Sequence, residues 1–273
     1  MPELPEVETY VRYIRPKLIG RRFLGAYLSH DDVLRGVSRR GLLSGLRRAR
    51  VIEVFRRAKH AVIVTDRSRL VVQPGMTGSL AVLSPSEAKG VDYLVLRIEL
   101  DRGGQLVYRD PRRLGTLLWL DPEEWKAYTG ALGQEPLDRA FSSSGLGGIL
   151  AGSRAAVKKV LMDQHALAGV GNIYAQEALF ASGIDPSKPA RKVGPDAVVR
   201  LHRQLVRILQ AAIAAQGSTV RDYRTGAGEA GRFQLRLKVY DRAGRPCLRC
   251  GTTLTGTHEI DARITVFCHR CQR

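Results

Sequence analysis

The chain has 273 residues, with 44 Lys or Arg against 26 Asp or Glu, a net charge of +18 at pH 7 and a sequence pI of about 10.3. That length accommodates two domains with separate cores, while no apolar run reaches the roughly 18 residues a membrane helix needs and the start lacks a basic-then-apolar leader. The basic excess is the footprint of a nucleic-acid binder, since neutralised phosphates release counterions; charge alone also fits a membrane-surface or ribosomal role, and the whole predicts a soluble intracellular protein.

The first predicted element is a helix opening at Pro5. Leu4, Val7, Val11, Ile14 and Leu18 recur at helical spacing, and Glu6 and Glu8 lie in the first turn, where the dipole favours anions. If Met1 is removed, Pro2 presents a secondary amine beside Glu3. A terminal amine titrates near 7.7–8.0, far below a lysine at about 10.4, so it is a possible nucleophile toward a sugar C1′ or carbonyl carbon. A capped surface helix with a frayed start is the other reading of the same residues.

Residues 25–29, 49–55, 61–65, 70–73, 93–100 and 105–109 read as strands, several alternating apolar and polar side chains. Asp101-Arg102-Gly103-Gly104 suits a hairpin turn, and together they predict a β-sandwich. Asp121-Pro122-Glu123-Glu124 opens a short helix, and Ser142-Ser143-Ser144-Gly145 is read as a break. A domain boundary is expected near residues 133–150.

Beyond it, helices are predicted over 153–164, 172–182 and 195–216. Between the first two, His165-Ala166-Leu167-Ala168-Gly169-Val170-Gly171-Asn172 suits a tight double turn with Asn172 as N-cap. It is either a phosphate site or an ordinary helix corner. Residues 217–234 interleave glycines with Arg221, Tyr223, Arg224 and Phe233, which fits a loop that closes over a ligand or a solvated connector.

All four cysteines fall in the last 27 residues, as Cys247-Leu248-Arg249-Cys250 and Cys268-His269-Arg270-Cys271 with 17 residues between. Two Cys-x-x-Cys knuckles at this spacing predict one tetrahedral Zn²⁺ with all four positions filled, and so a structural metal. Two disulfides or a redox pair are the competing readings. Residues 232–273 carry nine Arg or Lys against three acids, so this module is expected to face phosphate.

Pro2-Glu3-Leu4-Pro5-Glu6, Arg57-Ala58-Lys59, Gly75-Met76, Asp110-Pro111-Arg112-Arg113, Gly169-Val170-Gly171-Asn172-Ile173-Tyr174 and the cysteine finger occur in this order along the whole chain. In combination they resemble formamidopyrimidine-DNA glycosylases, the bacterial enzymes that remove 8-oxoguanine and ring-opened purines. The resemblance implies an α+β fold: an N-terminal β-sandwich with flanking helices (residues 1–133), a helix-two-turns-helix domain with the linker and a lesion-capping loop (134–235), and a zinc finger (236–273). It implies double-stranded DNA as partner, no membrane, a monomer and a bacterial cytoplasmic location.

By the same resemblance, Pro2 is the nucleophile and Glu3 the general acid/base, with Glu6 supporting the helix start. Lys59 joins the catalytic set by contacting the lesion's phosphate and base region, and Arg263, also in that set, grips phosphates around the flipped nucleotide together with Asn172. Elimination on both sides of the sugar then follows. The base must leave the duplex, and Met76 and Arg112 match two of the family's three inserted side chains. At the third position the usual phenylalanine is replaced by Leu114, which can wedge a base step but not stack on it. Gln73-Pro74 stands where the family has His-Leu, so a possible charge toward phosphate is lost. The loop over residues 217–234, with Arg221, Tyr223, Arg224 and Phe233, matches the cap over an everted purine. A pyrimidine-specific endonuclease VIII-like enzyme and a non-catalytic zinc DNA-binding protein are the alternatives.

Overall fold

The computed structural model describes residues 2–219 and 223–273. The chain divides into two compact units: Met1–Ala131 with Ala215–Arg232, and Leu132–Ala214 with Phe233–Arg273.

In the first unit, α1 (Leu4–Leu18) begins with proline in its first turn and ends with Arg15 and Lys17 in its last. Its stripe of Leu4, Val7, Val11, Ile14 and Leu18 is fully buried, each side chain contributing about 1.5–3 kcal/mol by leaving water. Then follow β1 (Phe23–Leu28), α2 (Arg39–Leu46), β2 (Val51–Arg57), β3 (His60–Thr65), β4 (Arg69–Gln73), β5 (Ser79–Leu83), α3 (Pro85–Lys89), β6 (Leu94–Leu100), β7 (Gln105–Arg109), β8 (Thr116–Leu120) and α4 (Pro122–Gly130). The strands form two antiparallel four-stranded sheets, β1-β6-β7-β5 and β2-β3-β4-β8.

Alternation decides which faces meet. Ile63, Leu70, Val72 and Leu117 of one sheet share a core with Phe23, Ile98, Leu106 and Tyr108 of the other and with α1. Val62, Val71 and Leu118 point outward and are covered by Trp125 and Tyr128 of α4. The β-sandwich expected from sequence is present, and α1 packs against β2, β3 and β5.

The second unit carries α5 (Ser143–Ala151), α6 (Val157–Met162), α7 (Asn172–Ser182), α8 (Pro195–Ala214) and a hairpin of β9 (Thr255–Thr257) and β10 (Thr265–Phe267). Three expectations change. Ser142 starts a helix instead of breaking the chain, because its hydroxyl accepts from the Gly145 amide at 3.1 Å. Gly171, not Asn172, is the N-cap of α7. Ser218 and Tyr223, assigned by sequence to the helical domain, group with the sandwich unit, the first through its hydrogen bond to Glu6 and the second through its ring against Tyr10 of α1.

Candidate active site

The start of α1 is held by one carboxylate. The Glu3 amide donates to Glu6 Oε2 at 2.8 Å, and the Ser218 amide donates to Glu6 Oε1 at 2.8 Å. Glu3 and Glu6 are each 1% exposed, and Pro2 is buried beside them. Gly217 makes this approach possible: its φ is +82°, and a Cβ there would lie 2.9 Å from Glu6 Oε1. The glycine-rich segment is therefore fastened to the same carboxylate that orients the N-terminal dipeptide.

Tyr223 was expected in a loop over a ligand, and its structural role is different. Its ring, 6% exposed, packs 5.4 Å from Tyr10, and its hydroxyl donates to the Gln216 carbonyl at 3.1 Å. Burial and then the Glu6 charge push its phenol up, so it stays protonated. Burial, with Tyr223 and Glu6, does the same for Tyr10, which donates to the Gly78 carbonyl at 3.3 Å. Arg224 remains exposed; Arg221 lies outside the described residues. Phe233 is 5% exposed in the second unit, its ring 5.9 Å from Tyr174, so it is not part of the loop.

Lys59 sits on the β2–β3 turn, after Ala58 at φ +52°, and is 8% exposed. Two ties hold this turn. Arg56 pairs with Glu8 of α1 at 3.3 Å and donates to the Ala58 carbonyl at 2.9 Å. His60 Nδ1 lies 3.1 Å from the Arg57 carbonyl, which makes that nitrogen the donor, and Nε2 then accepts from Tyr128 at 2.9 Å.

The three expected filler residues project from two loops with a common anchor. Asp110, 1% exposed, accepts through Oδ2 from Tyr108 Oη at 3.1 Å and the Gly115 amide at 2.8 Å. Its Oδ1 accepts from Thr77 Oγ1 and from the Arg112 amide at 3.3 Å. Thr77 adjoins Met76, and Gly115 adjoins Leu114, so one carboxylate sets all three fillers. Met76 and Leu114 are 42% and 49% exposed, and an Arg112 guanidinium nitrogen lies 3.9 Å from Met76 Sδ. Gly75, at φ +62°, lets the loops touch; a Cβ there would meet the Gly115 nitrogen at 2.5 Å. Gln73 Oε1 accepts from Thr116 Oγ1 at 3.2 Å, which ties this departure residue to β8.

In the second unit the double turn is laced by Gln164. Its amide nitrogen donates to the carbonyls of Met162 and Val170 at 2.9 and 2.8 Å, and its oxygen accepts from the Gly169 amide at 2.8 Å. Asn172 and Gln176 reach the hairpin together, donating to the Ile264 carbonyl at 3.3 and 3.1 Å, while Gln176 Oε1 accepts from the Val266 amide at 2.7 Å. Arg263 is half-exposed and leans on Asp261 at 3.5 Å. Asp261 also faces the fully buried Lys158, which donates to Thr265 Oγ1 at 2.7 Å.

The four cysteines are free, and their sulfurs all lie within 4.8 Å of one another. The Cys250–Cys268 and Cys247–Cys271 separations are 3.5 and 4.0 Å. A tetrahedron with Zn–S bonds near 2.3 Å has sulfurs about 3.8 Å apart, so the donor set and its spacing fit a zinc ion. The surrounding core is small, with Phe180, Val239, Leu254 and Val266 beside Cys247 and Cys268.

Two family models match: the formamidopyrimidine-DNA glycosylase N-terminal domain over residues 1–117 and the formamidopyrimidine-DNA glycosylase H2TH domain over residues 132–224. A formamidopyrimidine-DNA glycosylase of Thermomicrobium roseum is 42% identical, covering 100% of this chain and 99% of its own. The chain belongs to the formamidopyrimidine-DNA glycosylase family. Among solved structures, the MutM (Fpg) protein of Thermus thermophilus superposes with a TM-score of 0.88 at 35% identity, over 99% of this chain and 98% of that one. A Lactococcus lactis Fpg in complex with Fapy-dG-containing DNA gives 0.90 at 28% identity, over 99% and 100%.

Within this glycosylase family member, sequence reasoning missed two anchors. Asp110 was visible only as the first letter of a motif; the usable signal was an acid immediately past the end of β7, two residues after the buried run Leu106, Val107 and Tyr108. Gln164 carried no periodicity signal, because its partners are backbone atoms of the turn it closes.

Proposed function

We propose that the protein is a bifunctional DNA glycosylase of base-excision repair that acts on oxidised purines. The observation that carries this reading is the buried Pro2-Glu3 start of α1, fixed through Glu6. After loss of Met1, the Pro2 nitrogen attacks C1′ of the damaged nucleotide. The C1′–N9 bond breaks, and the base leaves with its electron pair and takes up a proton. Glu3 delivers a proton to the ring oxygen as the sugar opens to a Pro2 iminium ion. Loss of a C2′ proton then expels the 3′ phosphate, and a second elimination expels the 5′ phosphate.

Lys59, Asn172 and Arg263 contact phosphates around the extruded nucleotide, while Met76, Arg112 and Leu114 fill the space it leaves. One structural zinc held by Cys247, Cys250, Cys268 and Cys271 maintains the hairpin. The protein acts as a monomer in the bacterial cytoplasm. The relative's complex with Fapy-dG-containing DNA supports the purine assignment.

Borohydride trapping tests the mechanism. Reduction of the iminium ion should yield a protein–DNA adduct at Pro2 on duplexes with 8-oxoguanine opposite cytosine. No adduct, or an intact mass that retains Met1, removes the nucleophile assignment; preferential trapping on an oxidised pyrimidine moves the substrate class.

A further inference from the structure

The second unit contains a groove of about 710 Å³ that neither the metal nor the proposed phosphate contacts use. Its lining includes the apolar residues Phe180, Ile208 and Phe233, and also Leu235 and Leu248, which are 84% and 57% exposed. Around them stand Arg207, Arg236, Lys238 and Arg249, all exposed. Among the described residues the one acid lining the groove, Glu177, is 4% exposed and accepts from the backbone amides of Lys238, Val239 and Tyr240 at 2.9–3.0 Å. Arg249 stacks over the Phe180 ring at 4.6 Å. Among the described residues, none of the four cations has a carboxylate within ion-pair distance.

The groove also lies apart from the proposed DNA contacts of α7. At 100° per residue, Glu177 and Ala181 are turned about 140° and 180° from Asn172 around the helix axis. Asn172 and Gln176 face the hairpin; Glu177 and Ala181 face the groove.

We infer that this groove docks an acidic peptide segment carrying bulky apolar side chains, presented by another protein. Four exposed cations without an ion-pair partner among the described residues select an acidic partner, and the apolar lining residues with two exposed leucines select one that brings hydrophobic anchors. A DNA backbone would satisfy the cations and leave the leucines in water. A second copy of this chain, at +18, would be repelled. The volume is that of sites that engulf a few side chains, which suits a short segment or chain end.

The test is selection of random octapeptides displayed on phage against the zinc-loaded full-length protein, then fluorescence anisotropy of the best binder. Selected sequences should combine Asp or Glu with Leu, Ile, Phe or Trp. Leu235→Asp and Arg207→Glu should each weaken binding about tenfold or more while leaving excision from duplex DNA unchanged, and an undamaged duplex should not displace the peptide. A consensus without acids or without apolar residues, failure to select any binder, or variants that bind like the parent would overturn the proposal. Displacement by the duplex would assign the groove to nucleic acid instead.

Discussion

The two regions proposed to meet DNA are built on opposite principles. In the sandwich unit, the helix start and the filler loops are positioned by buried carboxylates, Glu6 accepting from two backbone amides and Asp110 from four donors, beneath loops that rest on a core shared by two sheets and α1. In the hairpin of β9 and β10, strands of three residues enclose little apolar surface, and order comes from cross-links: four cysteines, the Asn172 and Gln176 amides, and Lys158 beneath Asp261. A large core allows one buried acid to place a loop to within a hydrogen bond. A small one must first be held together, so damage in the first region should cost activity and damage in the second should cost the fold.

The largest effect expected from this contrast is at the metal. Chelation or Cys250→Ser should unfold the hairpin and weaken DNA binding by about 100-fold or more, with one zinc per chain released on elemental analysis. The strands of the sandwich unit should persist in circular dichroism. Next is Asp110→Ala, which strips an acceptor from four donors. It should cost about 2–4 kcal/mol in denaturant unfolding and about 100-fold in single-turnover excision, with the zinc retained.

Glu6→Gln should be milder, about 1–3 kcal/mol, because only one of two backbone amides keeps an oxygen acceptor. Its signature should be slowed borohydride trapping with little change in DNA affinity.

A pH effect separates the hairpin from the sandwich. Asp261 pays for partial burial, yet the Arg263 amide and the charges of Arg263, Lys158 and Lys159 hold its carboxyl below the usual range. A carboxyl depressed in the folded state stabilises above its unfolded value, near 3.9, and loses that contribution as pH falls toward the folded one. Between about pH 5 and about pH 3, the parent should therefore lose more thermal stability than Asp261→Asn. The smallest effect belongs to Leu114→Phe. An exposed substitution should stay within about 0.5 kcal/mol, and its measurable change should be in kcat/KM on 8-oxoguanine duplexes, about threefold or less upward if ring stacking aids base extrusion.

Much of the architecture was legible because its signals are local. The α1 stripe, β7 at Gln105–Arg109, α7 at Asn172–Ser182 and the cysteine knuckles each announce themselves within a short window. β8 did not stand out individually because Leu117, Leu118 and Leu120 are buried on both faces, one by the core and the other by α4, which erases alternation. The site was legible as residue types and much less so as supports. Pro2, Lys59 and Arg112 could be named from motifs, but the tie between Glu6 and Ser218 spans 212 positions, and no local pattern encodes it. The same distance explains why residues 217–234 read as a free loop when Tyr223 in fact belongs to the core under α1.

That tie also has a consequence for how the protein is made. Translation adds roughly 5–20 residues per second, so Ser218 follows Glu6 out of the ribosome by roughly 10–40 s, and the sandwich unit cannot close its last contact sooner. During that interval the Glu6 carboxylate lacks the Ser218 amide that it accepts from in the finished fold. The last hydrogen bond to the start of α1 is thus scheduled by the order of the chain.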